Sequence, residues 1–190
     1  MSSQARNSKT TYAYLGPAGT FTELALRQVK AAVGQEWKPV LSVADALNAV
    51  LTGKAQRAIV PVESSVEGGV SATLDALATT EGLQIYGEYL VPVNFNLVAK
   101  PGVKLSEVKT IAAHPVAYAQ VRKWLSENLK GHKHLQATSN AAAASDLWEN
   151  DKIDAAVSTP NITDHYMVKV IAKNIADTKH AETRFIEVGK

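Results

Sequence analysis

The sequence predicts an α/β protein of two lobes, each a mainly parallel sheet flanked by helices, with a cleft between them. Three observations carry this. Short Val- and Ile-rich runs alternate with stretches of helical periodicity, the pattern of β–α–β crossover units. The 190 residues suffice for one domain or two small lobes, and a hydrophobic content of 46% supplies a core. Proline interrupts two strand runs midway, at Val91-Pro92-Val93, which marks a crossing between lobes. Lobe one is then 12–91 plus 183–190, and lobe two is 93–180, with the return crossing in 174–182. Residues 1–11 read as a flexible tail.

Strands are predicted over 12–15, 38–41, 57–62, 83–91, 95–99, 110–113, 134–137, 153–157, 168–172 and 184–188. Helices are predicted over 21–33, 43–52, 70–79, 115–129 and 140–149, with a further turn at 161–165. Several boundaries have a physical cause. Ser42 can cap 43–52 with Asp45 as the reciprocal acid, and Gly53 ends it. In His114-Pro115 the proline takes the first helical position, where its missing N–H costs nothing. Along 115–129, Val116, Ala119, Leu125 and Leu129, with Val121 and Trp124 beside them, read as one buried stripe.

Composition excludes several classes. Lys and Arg number 20 against 18 Asp and Glu, and no basic run tracks a phosphate backbone, so no nucleic-acid partner is expected. There are no cysteines, which removes disulfides, thiolate metal sites and a thiol nucleophile. No apolar run nears the roughly 18 residues of a membrane helix, and no signal peptide is expected from the polar start MSSQARNSKT. A cytoplasmic protein without a membrane partner is the expectation. His132 and His134 read as surface residues rather than a metal pair, and His114 as a helix-start residue rather than a base.

Three polar blocks stand out. Gly16-Pro17-Ala18-Gly19-Thr20 joins a strand to a helix; it is either an anion site at a helix N-terminus or an ordinary turn. Glu63-Ser64-Ser65-Val66-Glu67-Gly68-Gly69 is either a helix cap or a polar pocket wall. In Thr183-Arg184-Phe185, Arg184 either grips a carboxylate through its planar fork or is solvated on an edge strand. Strand alternation puts Thr183 and Phe185 on one face, and Arg184, Ile186 and Val188 on the other.

Taken together and in order, these blocks resemble the prephenate dehydratases of phenylalanine biosynthesis. The resemblance spans about 12–188. It runs through Tyr14-Leu15-Gly16-Pro17-Ala18-Gly19-Thr20-Phe21-Thr22, Val60-Pro61-Val62-Glu63-Ser64-Ser65, Glu67-Gly68, Thr73-Leu74-Asp75 and Gly87-Glu88. It continues with His114-Pro115, Gln120 and Ser139-Asn140-Ala141-Ala142-Ala143. It closes on Tyr166-x-Val168-x-x-Ile171, Asp177 and Thr183-Arg184-Phe185-Ile186-x-Val188. Members often read Glu-Asn-Ser at 63–65, have Asn where Ala181 stands, and have Gln where Val116 stands.

The resemblance implies a fold similar to type-2 periplasmic binding proteins and a lyase that converts prephenate to phenylpyruvate with loss of water and CO₂. The family's essential threonine falls on Thr183, with Glu63 the nearest carboxyl for proton donation. Substrate contacts are expected from Gly19, Thr20, Ser64, Ser65, Arg184 and Asn140, and from Phe185, which either excludes water or packs beneath its strand. No metal or other cofactor is expected, and a homo-oligomer is. The regulatory ACT domain common in the family is not expected within these 190 residues, nor is allosteric inhibition by phenylalanine. Two other readings stay open: a decarboxylase that acts on prephenate without aromatising it, and a non-catalytic module for small carboxylates.

Overall fold

The structure, a computed structural model, describes residues 9–190. The expected tail falls mostly outside them, and its last residue, Thr11, opens the first strand. In chain order the elements are β1 (Thr11–Leu15), α1 (Phe21–Gln28), β2 (Glu36–Val40), α2 (Val43–Leu51), β3 (Arg57–Ser64), β4 (Gly68–Gly69) and α3 (Ser71–Thr79). Then follow β5 (Gln84–Pro92), β6 (Asn96–Ala99), β7 (Thr110–Ala113), α4 (Pro115–Asn128), β8 (Lys133–Gln136) and α5 (Asn140–Glu149). The chain closes with β9 (Ala155–Ser158), β10 (Lys169–Ala172) and β11 (Glu182–Gly189).

One sheet has the order β2-β1-β3-β11-β5, with β4 paired to β3; the other has the order β10-β6-β9-β7-β8. Both are mixed rather than mainly parallel. Strand β1 runs parallel to β2 and β3, and β7 parallel to β8 and β9, through helical crossovers. Strand β11 runs antiparallel to β3 and β5, and β6 antiparallel to β9 and β10. The cause is the double crossing. Strand β5 leaves the first sheet and β11 returns to it, so neighbours at the crossing must point in opposite directions. Val91 pairs with Thr183 and Pro92 with Glu182, and the Val93 N–H donates to the Ala181 carbonyl at 2.7 Å.

Period-two alternation divides each sheet's apolar side chains between two faces. In lobe one, Ala13, Ala58, Val60, Ile186 and Val188 pack on α2 through Ala46, Leu47 and Val50. Tyr12, Tyr14, Ile59, Val91 and Phe185 pack on α1 through Ala25 and Leu26. In lobe two, Leu97, Ile111 and Val157 meet Val121 and Leu125 of α4, while Val98, Ala112 and Ala156 meet Ala144 and Leu147 of α5. Each fully buried Val, Leu or Ile side chain contributes about 1.5–3 kcal/mol.

Local chemistry sets the ends. The Ser42 hydroxyl accepts the Asp45 N–H at 3.0 Å and donates to the Asp45 carboxylate at 2.7 Å. Gly53, at φ +74°, turns the chain out of α2. Helix α1 is shorter than expected. It stops at Gln28, and Lys30–Ala32 tightens into a 3-10 turn before Gly34, at φ +76°, sends the chain into β2. The buried stripe of α4 is Ala117, Val121 and Leu125, an i, i+4 row; Ala119 is exposed and Val116 only half-buried. Apolar type alone does not separate that row from its neighbours.

Candidate active site

A cleft of about 320 Å³ opens between the lobes. Ser64, Glu67 and Thr183 give it one polar wall, and His114, Gln120 and Asn140 the other. Phe21 and Phe95, edge to face at 5.5 Å, form part of its apolar lining with Leu15, Val70 and Val116. No lysine or arginine lines it among the described residues, and Glu67 is its carboxylate.

The lobe-one wall follows from strand pairing. Thr183 stands directly opposite Ser64 in the β11–β3 register. Ser64 ends β3, and its hydroxyl accepts the Val66 and Glu67 N–H groups at 3.2 and 3.4 Å. That local turn, with Gly68 at φ +84°, folds β4 back on β3 and leaves Glu67 at the cleft. Between Arg184 and Phe185 the register slips by one residue, so Arg184 faces Glu63 while Phe185 faces Pro61. Such a bulge bends and re-aims a strand.

Helix starts build the lobe-two wall. Pro115 opens α4, and the Val116 N–H donates to His114 Nδ1 at 3.3 Å, which places a neutral ring's proton on Nε2. Ser139 caps α5 by accepting the Ala142 N–H at 2.9 Å, which sets Asn140 in its first turn. The Asn140 carbonyl accepts the Ser158 hydroxyl at 2.8 Å, while its side-chain Oδ1 is buried without a protein partner among the described residues. Both helices thus bring their positive ends to the cleft.

Several expected site residues lie elsewhere. Arg184 donates from Nε to Glu63 at 3.2 Å and also pairs with Glu88 on β5. Arg184 and Glu63, with Ser65, Glu182 and Leu90, bound a separate surface hollow of about 210 Å³. Glu63 and Arg184 are therefore not beside Thr183 in the cleft. Each sits next in sequence to a cleft residue, and alternation sends it to the other face. The Ser65 hydroxyl accepts the Glu182 N–H at 2.9 Å. Phe185, 2% exposed, packs beneath the sheet against Tyr12 and Leu26. Thr20 caps α1 by accepting the Glu23 N–H at 3.4 Å and donates to the Leu15 carbonyl. The Gly19 N–H is bonded to the Glu23 carboxylate at 2.6 Å. Only Thr183, Ser64 and Asn140 of the expected set line the cleft.

The block around Glu67 reads as either a helix cap or a pocket wall, and His114 as a helix-start residue; the structure brings both to the cleft, with Gly68 and Gly69 in a strand before α3 begins. The helical spacing of Val116 and Gln120 is the signal that places both on one face of α4. His132 and His134 flank Tyr118: its hydroxyl meets His132 Nε2 at 2.9 Å, and its ring stacks on His134 at 3.8 Å.

Residues 12–190 match the family model described as Prephenate dehydratase. The chain belongs to the prephenate dehydratase family. A prephenate dehydratase from Amycolatopsis methanolica is 48% identical over 174 residues, which cover 92% of this chain and 56% of that one. The crystal structure of a prephenate dehydratase from Arthrobacter aurescens in complex with L-Phe superposes with a TM-score of 0.89 at 46% identity, covering 95% of this chain and 60% of that one. A protein described as a novel type of quorum-quenching acylase superposes at 0.82 with 30% identity, covering 95% of this chain and 64% of that one. The chain thus spans less than two thirds of the length of these relatives. Prephenate dehydratases therefore share this two-lobe fold, and among the described residues no helix is long and apolar enough to cross a membrane.

Proposed function

We propose that the cleft converts prephenate to phenylpyruvate, water and CO₂. The observation that carries this is the placement of Thr183 and its strand partner Ser64 on one wall of the interlobe cleft, opposite His114, Gln120 and Asn140, in a chain of this family. The volume lies at the small end of ligand pockets and suits a single-ring dicarboxylate.

Prephenate carries a ring carboxylate, a pyruvyl carboxylate and a ring hydroxyl opposite the quaternary carbon. With Arg184 bound elsewhere, the carboxylates are held by the N-terminal ends of α4 and α5 and by neutral donors: His114 Nε2–H and the Gln120 and Asn140 amides. In the chemical step the bond to the ring carboxylate breaks and its electron pair becomes ring π density. The C–O bond breaks with its pair on oxygen, which takes a proton and leaves as water. The net change is uptake of one proton by the dianion, giving the phenylpyruvate monoanion.

Thr183 donates a hydrogen bond to that oxygen as negative charge builds on it. An aliphatic alcohol is too weak an acid to give up the proton itself, so a stronger acid is needed, and Glu67 is the carboxyl in the cleft. Glu67 replaces Glu63 in this role, because Glu67 shares the cleft with Thr183. Its exposure lets solvent return the proton after each turnover. The test incubates the purified chain separately with prephenate and arogenate and identifies the products. Phenylpyruvate from prephenate is expected. A decarboxylated product that keeps the ring hydroxyl, or binding without turnover, overturns the assignment.

A further inference from the structure

In the loop Gly16–Thr20, the Gly19 N–H and carbonyl and the Thr20 hydroxyl bond to protein partners, and those of Gly19 lie partly in the other lobe. Glu23 of α1 is 3% exposed at its side chain. One of its oxygens accepts the Gly19 N–H at 2.6 Å. The other accepts Arg27 Nε and Nη2 at 3.0 and 2.6 Å and meets His165 Nε2 of lobe two at 2.9 Å. Arg27 also donates to Asp164 of lobe two at 2.7 Å. The Gly19 carbonyl in turn accepts the hydroxyl of Thr159, again from lobe two, at 2.5 Å.

Shape agrees with the polar contacts. Gly19 has φ +85°, and a Cβ there would lie 2.7 Å from Ile162 Cδ1 of lobe two. The lobes therefore meet at Gly19 backbone to side chain. Gly19 lies two residues before Phe21, and a further lobe-two neighbour, Ala141, follows Asn140; Phe21 and Asn140 both line the cleft. The contact is built around a charged group, which is costly to bury unless every lone pair finds a partner. Opening the lobes would strip Glu23 of its lobe-two donor.

We propose that Glu23 is a positioning residue whose carboxylate, through Gly19, Arg27 and His165, latches the two lobes together and so sets the width of the cleft. The latch rests on the proposed reaction only for its kinetic readout. Where the latch is lost, the cleft is competent for a smaller fraction of the time and apparent affinity falls by that fraction, while saturating substrate restores closure. KM is then expected to rise about tenfold, with kcat changed by less than about twofold.

The experiment compares Glu23→Gln, Thr159→Val and His165→Ala in the full chain. His165→Gln serves as the conservative variant, since its amide N–H can reach the same oxygen. The absence of cysteines allows clean spin labelling at Val33→Cys in lobe one and Met167→Cys in lobe two, both exposed. Expected are a longer or broader label-to-label distance and a raised KM in the first three variants, with both near wild type in His165→Gln. His165→Ala and Thr159→Val leave α1 untouched, so a folding failure of Glu23→Gln alone leaves the test intact. Folded His165→Ala and Thr159→Val variants with wild-type distance distributions overturn the proposal, even if melting temperature drops. If the unsubstituted chain does not turn over prephenate, the assigned reaction fails instead, and the distances alone decide the latch.

Discussion

Adjacent residues in β3 and β11 do different work. Thr183 and Ser64 line the cleft, whereas Arg184 and Glu63, one position along each strand, join Glu88 in an ion cluster on the far surface. Thr183→Ala should lower kcat by about 10²-fold with KM little changed, because its hydrogen bond matters most as charge develops on the leaving oxygen. Turnover near wild type, followed by phenylpyruvate absorbance, would remove Thr183 from the reaction. Glu67→Gln should also lower kcat by about 10²-fold, whereas Glu63→Gln should leave kcat little changed. Arg184→Lys should act on melting temperature rather than on KM, since the guanidinium is already engaged by two carboxylates. A KM increase of tenfold or more with an unchanged melting curve would return Arg184 to substrate binding.

At the level of elements, capping chemistry is the most readable part of this chain. The Ser42 cap, the Gly53 exit and the Pro115 start all follow from local rules, and their partners lie within a few residues. Ser42→Ala should cost about 1 kcal/mol, read as a lower denaturation midpoint at unchanged slope. Faces and strand directions are less readable. Val116 and Ala119 look as apolar as Ala117, yet only Ala117 is buried, because the α4 row that meets β7 and β9 is chosen by docking. Strand β4 has two glycines and no side-chain pattern at all. It exists because β3 extends far enough to pair with Gly68 and Gly69, and it places Glu67.

For the whole molecule, the charged group of greatest consequence is Glu23. Burial alone would raise its pKa, but the Gly19 N–H, then His165 and Arg27, outweigh that and hold the carboxyl below its ordinary value. Asp164 faces the same cluster through Arg27, and Tyr14 lies close enough to feel the charge; burial first, and Glu23 second, push its phenol up to about 12. A folded value below the unfolded one means that the unfolded chain binds more protons in acid. The stabilisation from Glu23 is therefore complete above the unfolded value of about 4.3 and disappears as pH falls through the lower folded value. Melting temperature should drop more steeply below about pH 4 in the wild type than in Glu23→Gln. Parallel curves for the two proteins would show that the cluster contributes nothing to acid sensitivity.

Read alone, the chain reveals most of the strand and helix succession, though not β4, and it reveals the family. Each is encoded in periodicity, in residues with restricted backbones, or in an ordered set of motifs. Which motif residues share the cleft depends on the folded molecule. Ser64 and Glu63, or Thr183 and Arg184, are inseparable in a one-dimensional reading, yet a strand sends neighbouring side chains to opposite faces, and the bulge beside Arg184 sets the local register. Likewise Gly16–Thr20 has the composition of an anion loop. At Gly19 both backbone groups are occupied, because Glu23, four residues on, and Thr159, 140 residues away, reach the same glycine in the folded molecule.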